Sequence, residues 1–440
     1  MRLQRLWAIL AVALACALFG AGPALSQRVY IDITQPNFTR IPIAVPEFKL
    51  LAAGDVNLAR QMAETLSADL DYSGFFRPLD PRGFLQNPQQ MGMTAPEISF
   101  PAWKQSGAEF LVRGGFQLSG GAIRMEMRLF DVVAGKEVIA KAYDGTAQEW
   151  RAIVHRFADE ILLALTGERG VFGTKIAFVN QQGNVKEIFV CDFDGSNPIQ
   201  VTNDRSIALS PAWNPAGNRM AYVSYRDGAA KIYVMNLLDG SVRLLSGQPG
   251  LNITPAWRPG GGDELAATLS KDGTPDIYLL TASGQVVQRL VQGWSIDVSP
   301  AWSPDGRRLA FVSSETGNPQ IYVLDLATGQ KRRITFSGTY NTAPSWSPKG
   351  DLIAYSGISG GRHEVFVVRP EGGEPRQLTQ GGGEDPSFSP DGRMIAYSST
   401  REGGAAIWVM LVNGTGARRV TRMAGEQTMP DWSPRLTGGR

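Results

Sequence analysis

Cysteine, histidine and net charge are all scarce in this chain. Its 440 residues hold two cysteines and two histidines, and 43 lysines and arginines stand against 41 aspartates and glutamates. Cys16 lies in an apolar N-terminal stretch, so a chain that loses this stretch keeps Cys191 alone and has no disulfide to form. A chain of this length buries enough core without one. Two histidines leave little for a histidine-ligated metal centre. Arg2 and Arg5 belong to the same N-terminal stretch, and without them basic and acidic residues balance. Charge then draws the chain neither to nucleic acid nor to anionic lipid. Past residue 19 no apolar run is long enough to span a bilayer, which argues against direct membrane insertion.

That N-terminus sets the compartment. Arg2 and Arg5 precede an apolar run over residues 6–19, Pro23 follows, and Ala24, Leu25 and Ser26 offer small residues for cleavage. The pattern is a secretory signal over residues 1–26, cut after Ser26, which places the remainder in an extracytoplasmic space. Cys16 as a lipid anchor fits poorly, because it lies inside the apolar run behind Ala13, Leu14 and Ala15.

What is abundant is repetition. A Pro-x-aromatic step ending at Trp213, Trp257, Trp302, Trp346, Phe388 and Trp432 recurs every 42–45 residues. An alanine begins a second motif at Ala177, Ala221, Ala266, Ala310, Ala354 and Ala396. Eleven residues after each alanine stands Ile188, Ile232, Ile277, Ile321, Val365 or Ile407. A fixed period of this length predicts a β-propeller with one four-stranded blade per repeat. In the clearest unit, strands over 300–302, 309–313, 320–324 and 331–334 alternate with turns at 303–306, 315–318 and 328–329. Asp305-Gly306 and Thr328-Gly329 supply the positive φ that tight turns need. Residues 174–202 carry three strands but no Pro-x-Trp strand, and the missing one stands at Pro430-Asp431-Trp432. One blade is therefore assembled from both ends of the array, which closes six blades over residues 174–434 and leaves no open edge. A short tail, 435–440, follows.

Residues 41–167 read as a compact α/β domain. An apolar strand covers 41–48. Asp55 caps a helix with Leu58, Met62, Leu66 and Leu70 on one face, ending near Gly74. Three strands fill residues 108–143. Thr146 and Glu149 form a capping box for a second helix that Gly167 terminates. Residues 168–173 are too short a linker for independent domains and imply a semi-rigid pair.

Residues 27–40 fit neither body. Val29, Ile31 and Ile33 alternate with Tyr30, Asp32 and Thr34 before Pro36. Two readings stay open: an outer strand of the α/β domain, or a detachable peptide that adds as a strand to a partner.

Catalytic patterns dissolve on inspection. Gly357-Ile358-Ser359-Gly360-Gly361, with His363 nearby, matches a nucleophile elbow. Such an elbow needs a helix after it, and here a strand follows. His155 and Asp159 lie four apart on one helix, which suits a mutual contact better than a metal pair. Asp192-x-Asp194-Gly195 starts like a calcium loop but lacks its later ligands. No catalytic, cofactor or metal residue is expected. What remains is a binding surface on the loops that lead into the innermost strands and end at Ser210, Thr254, Ser299, Ala343, Asp385 and Met429.

The order of signal, α/β domain and six-bladed ring resembles the TolB family of periplasmic Tol-Pal proteins. The resemblance is carried by His155, Asp159, Ile161, Leu165-Thr166-Gly167, Gly170, Phe172, Thr174 and Ile176-Ala177-Phe178-Val179, and by Asp71-x-Ser73-Gly74-x-Phe76. Arg258-Pro259-Gly260-Gly261-Gly262 departs from the family's Ser-Pro-Asp-Gly turn, and Leu251-Asn252-Ile253 lacks a histidine. The resemblance implies a non-enzymatic, monomeric hub that supports outer-membrane integrity and constriction at cell division. It would bind the lipoprotein Pal at the channel mouth, through loops holding Asn252, Thr254, Asp297, Val298, Tyr340, Asn341, Thr342, Glu384 and Asp385. It would bind TolA through the mature N-terminus, Gln27, Arg28, Val29, Tyr30, Ile31, Asp32 and Ile33. The alternative is an extracytoplasmic propeller enzyme or glycan-binding module, which convergent carboxylates or an ion in the channel would mark.

Overall fold

The computed structural model describes residues 39–436, apart from Ala53 and Gly261. The first body is a mixed sheet backed by helices. Its strands are β1 (Ile41–Ala44), β2 (Lys49–Leu50), β3 (Phe76–Pro78), β4 (Phe110–Ser119), β5 (Ala122–Asp131) and β6 (Lys136–Thr146). They lie in the order β3-β1-β4-β5-β6, with β2 paired to β4. The strand expected over 41–48 is shorter than its apolar run. Pro46 offers no N–H to the ladder, so β1 ends at Ala44 and pairing resumes at Lys49 opposite Gly115.

Helices α1 (Val56–Tyr72), α2 (Phe100–Gln105) and α3 (Trp150–Thr166) complete this body. Asp55 caps α1 by accepting from the Asn57 N–H at 2.8 Å. Met62, Leu66 and Leu70 of α1 and Ile153, Phe157 and Ile161 of α3 are buried in one core. Glu149 accepts from the Thr146 N–H at 2.7 Å, closing the capping box ahead of α3. At the other end Gly167 takes φ 79, where a side chain would be strained. The sequence pattern missed α2 and the three-residue β3. It also missed the role of Arg113, which is fully buried on β4. Its guanidinium donates to the carbonyls of Gly92 at 3.0 Å, Pro88 at 2.6 Å and Met91 at 2.9 Å, which fixes the irregular segment before α2.

The second body is a ring of six four-stranded antiparallel sheets. The blades are numbered here from the split one. Its innermost strand is Glu426–Trp432 and its others are Lys175–Gln182, Val185–Asp192 and Ile199–Gln200. The innermost strands of the second to sixth blades are Ala208–Trp213, Asn252–Trp257, Asp297–Trp302, Asn341–Trp346 and Glu384–Phe388. Each starts a few residues before the proline from which the sequence pattern dated it. Gly306, at φ 65, sits in the first turn of the fourth blade as the Asp-Gly pair requires.

Neighbouring blades are latched by their aromatics. The indole N–H of Trp257 donates to the Ala212 carbonyl at 3.2 Å, and that of Trp302 to the Ala256 carbonyl at 3.0 Å. Guanidinium groups cover the outer faces of three of these rings, with Arg219 over Trp257, Arg258 over Trp302 and Arg308 over Trp346, all at 5.0–5.3 Å. The divergent turn explains itself here. In the third blade Glu264 stands where the second and fourth carry Arg219 and Arg308. Arg258 supplies the missing cation from the turn and pairs with Glu264 at 2.9 Å.

The two bodies share one apolar core that includes Phe75, Phe172, Phe193, Met394, Val409 and Trp432. Ion pairs ring it. Arg393 meets Glu168 at 2.6 Å, Arg418 meets Asp71, and Arg151 meets Asp194. The helical spacing of His155 and Asp159 does not produce the mutual contact expected. His155 Nδ1 instead lies 2.7 Å from Asp69 on α1, and Asp159 accepts from the backbone N–H groups of Phe172 and Gly173 in the linker. Packing of α1 on α3 draws the imidazole sideways, while the returning chain claims the carboxylate.

Trp302 is 7% exposed and both donates to and is covered by the third blade. Trp302→Ala is expected to lower unfolding free energy by about 3–5 kcal/mol. Chemical denaturation checks this, and an unchanged midpoint would remove the position from the core.

Candidate binding mouth

Each innermost strand reaches the axis through one strained residue. Ser210, Thr254, Ser299, Ala343, Asp385 and Met429 all have φ between 49 and 56. All are non-glycine, and each directly precedes the proline of its repeat. Left-handed backbone at such residues costs on the order of 1–3 kcal/mol each. The cause is geometric. At this point every innermost strand slips its register against the next, as between Val298 and Ala301, and the bulge turns the following Pro-Ala, Pro-Ser or Pro-Asp step toward the axis. The six steps line a channel of about 390 Å³.

Two carboxylates line the channel, Asp385 and Asp431, and both act as latches. Asp431 Oδ2 accepts from the Trp213 N–H at 2.8 Å, and its Oδ1 from Ser387 Oγ at 3.4 Å. Ser387 in turn accepts from the Trp432 N–H at 2.9 Å. Burial pushes Asp431 up to about 7. Burial, with Glu384 beside it, pushes Asp385 up to about 6. Among the described residues no group of three or more His, Cys, Asp and Glu side chains is placed to hold a metal ion.

The structure divides the loop residues that the sequence singled out. Asn252, Asp297 and Asn341 open their strands with buried side chains. Asn252 donates to the carbonyls of Gln248 and Gly250, Asn341 to Gln320 and the Ser337 carbonyl, and Asp297 accepts from Ser295. Asn252 and Asn341 also reach back to the preceding blade, through Ser246 and the Ala230 carbonyl and through Gln320, and none of the three faces the mouth. Burial of a polar group at this point demands several partners, so polarity in the sequence marked a loop anchor there. Thr254 lines the channel and bonds Thr268 at 2.8 Å; Val298 and Thr342 are half-buried in the strands beside it. Tyr340 and Glu384 are exposed.

Just before those anchors stands a rim that the sequence reading passed over. Leu251, Ile296 and Tyr340 occupy the same position in the third, fourth and fifth blades. Their carbonyls accept from Ser270, Ser314 and Ile358 on the facing hairpins. All three side chains are exposed, as are Trp294, Phe336 and Ile358 next to them, and Trp294 is 99% exposed. The signal was available: an apolar residue three before each of these strained positions has no core to enter from a loop. On the far side of the mouth the rim is polar and small, with Gly382 and Glu426 at that position.

Ser359 ends the strand Ile353–Ser359, and Gly360 and Gly361 make its hairpin, both at positive φ. Asp192 accepts from Asn197 Nδ2 at 2.7 Å, within the hairpin expected there. No helix among the described residues is long and apolar enough to cross a membrane. The leader and residues 27–33 lie outside the described residues.

A family model described as the TolB beta propeller domain matches residues 163–436, and one described as the TolB amino-terminal domain matches residues 29–138. The Tol-Pal system protein TolB of Desulfosudis oleivorans is 43% identical over 271 residues, 61% of this chain and 61% of that one. The chain thus spans less than two thirds of that relative's length. A TolB homolog of Chlorobium chlorochromatii is 39% identical over 306 residues, 68% of each chain. The crystal structure of TolB from Acinetobacter baumannii superimposes with a TM-score of 0.79 at 27% identity, covering 90% of this chain and 97% of that one.

The channel carboxylates give a pH signature. Asp431 holds its proton in the folded state up to about pH 7, whereas an unfolded Asp releases it near pH 4. The folded state therefore binds more protons across that window, and stability falls as pH rises through it. Asp431→Asn keeps an acceptor for Trp213 and removes the buried charge. It is expected to raise the melting midpoint at pH 8, with a gain that shrinks toward pH 4. A gain independent of pH would contradict the assignment.

Proposed function

The chain belongs to the TolB family, and from that premise we propose that it is a periplasmic binding protein of the Tol-Pal system and not an enzyme. One face would bind Pal at the channel mouth, and the mature N-terminus, Gln27 to Ile33, would bind TolA. Linking these two would support outer-membrane integrity and constriction during division. The observation that carries the Pal reading is the apolar rim of Leu251, Trp294, Ile296, Phe336, Tyr340 and Ile358 beside a rigid, strained channel. Exposed aromatic and aliphatic side chains gathered on one face favour a protein partner. A rigid ring limits the entropy lost on docking.

The glycan or enzyme reading looks for convergent carboxylates, and the channel does hold Asp385 and Asp431. Asp431 is engaged by the Trp213 N–H and Ser387 and serves the ring. That engagement favours the binding reading over hydrolysis.

Two variants separate the two surfaces. Trp294→Ser with Ile296→Ser is expected to weaken Pal binding by about tenfold or more, the scale of losing interface anchors, and to leave TolA binding intact. Deletion of residues 27–34 is expected to abolish TolA binding while Pal binding and the melting midpoint persist. Calorimetric titration of both variants against both partners decides it. Loss of both partners in the deletion, with the ring folded, would show that the surfaces are not separate.

A further inference from the structure

The polar side of the mouth holds a second feature, an open pocket of about 860 Å³ between the fifth and sixth blades. Arg362, His363, Gly381, Gly382, Ser399 and Arg401 contribute to its lining. We propose that this pocket binds a carboxylate presented by the protein that docks on the mouth, an acidic side chain or chain terminus. The proposal rests on the reading of the mouth as a partner-binding face and adds the chemistry that the polar half would recognise.

One hairpin, repeated in three blades, differs in how its cation is neutralised. In the second blade Arg226 lies over Tyr233 and pairs with Asp204 at 2.9 Å, while the Tyr233 hydroxyl donates to Asp227 at 2.5 Å. In the third, Lys271 lies over Tyr278 and pairs with Asp272 at 2.7 Å, and the Tyr278 hydroxyl donates to the same carboxylate. Each cation is neutralised by an acid of its own blade.

The sixth blade keeps the cation and loses the acid. Arg401 lies over Tyr397 and Trp408, at 5.4 and 4.7 Å, and its Nε reaches Ser399 Oγ at 3.2 Å. Glu402, at the position of Asp227 and Asp272, turns away to Arg419 at 3.6 Å. Thr202 and Thr379 make the same bond to the neighbouring strand, and two residues on, at the position of Asp204, the chain carries Gly381, followed by Gly382 and Gly383. Arg401 Nη2 and the Trp408 indole N–H are therefore buried without a hydrogen-bond partner among the described residues, as is His363 Nδ1 across the pocket. A buried donor left unpaired is costly, and a charged one more so.

Nearby acids do not answer the demand. Glu364 is consumed by Thr379 and the N–H groups of Gly381 and Gly382. Glu384 lines the pocket but is exposed and forms no ion pair among the described residues. A guanidinium resting over two neighbouring rings suits a carboxylate, which it can meet with two N–H groups. Arg362 adds charge at the lip, and a glycine run on the opposite wall lets a partner's backbone approach.

The two histidines make the test direct. Histidine-labelled full-length protein gives ring signals from His155 and His363 alone, and His155, 3% exposed at the domain interface, is an internal control. Titration with glutarate at constant ionic strength is expected to shift the His363 signals saturably and leave His155 still. Uncharged glutaramide should move neither histidine's signals. Arg362→Gln, an exposed position that leaves the fold intact, is expected to weaken glutarate and Pal by about tenfold each, the scale of one charge-assisted hydrogen bond. Arg401→Gln should abolish saturation. An unmoved His363, or an equal response to glutaramide, overturns the pocket. Pal binding Arg362→Gln as tightly as the parent overturns its use by the partner. Wild-type protein that binds glutarate but not Pal would support the pocket and remove the proposed partner. Protein that binds Pal and ignores glutarate would do the reverse.

Discussion

Closure of the ring by one strand is the constraint on which the rest of the structure depends. Glu426–Trp432 pairs with Lys175–Gln182 in antiparallel register, Thr428 opposite Val179 and Trp432 opposite Ile176. The Trp432 indole donates to Thr174 at 2.8 Å, and Ser433 accepts from the Lys175 N–H at 2.9 Å. These contacts join segments separated by more of the chain than any other sheet contact in the ring. Without them a sheet edge opens, and six wedge-shaped sheets lose the neighbour that keeps them radial. Closure also sets the channel. Asp431 sits on the closing strand and grips the Trp213 N–H of the second blade, so the carboxylate with the most strongly raised affinity for a proton in the channel is also part of the seam.

Repetition distributes the load and local exceptions distribute function. Four aromatics, Trp213, Trp257, Trp302 and Trp432, donate ring N–H groups to a backbone or hydroxyl partner, and Trp257, Trp302 and Trp346 are each roofed by an arginine from the preceding blade. Where a repeat departs from the pattern, two outcomes are visible. The turn at Arg258 departs and restores the same cation by another route, so the interaction is conserved within the molecule although the residue pattern is not. The hairpin at Arg401 departs and restores nothing from its own blade. The first kind of departure concerns stability. The second leaves recognition chemistry facing the mouth.

The domain pair adds a second mechanical condition. Asp159 holds the linker by two backbone N–H groups, and a shared core with three ion pairs fastens α1, α3 and the linker to the first and sixth blades. The split blade is thus both the seam of the ring and a neighbour of the α/β body, through Phe193 against Tyr72 and His155. A disturbance at that interface meets the closing strand directly. The apolar rim lies on the third to fifth blades, away from the seam, where exposure of Trp294 and Phe336 carries no cost to closure.

The sequence by itself determined the architecture. Period, Pro-x-aromatic step and turn glycines are local signals repeated six times, and repetition turned weak propensities into one topology, down to the split blade. The helix caps at Asp55, Thr146 and Gly167 were legible for the same reason, since a cap needs only its own residues. Side-chain direction was decided only in three dimensions. Asn252, Asp297 and Asn341 looked like surface groups because loops are commonly polar, yet a bulge two residues on turns them inward. His155 looked paired along its helix and is paired across helices. Leu251, Ile296 and Trp294 looked like ordinary apolar residues, and only the ring placed them together on one exposed face. Spacing along a chain fixes which residues share an element. Which of them meet depends on packing between elements, and no local pattern encodes that.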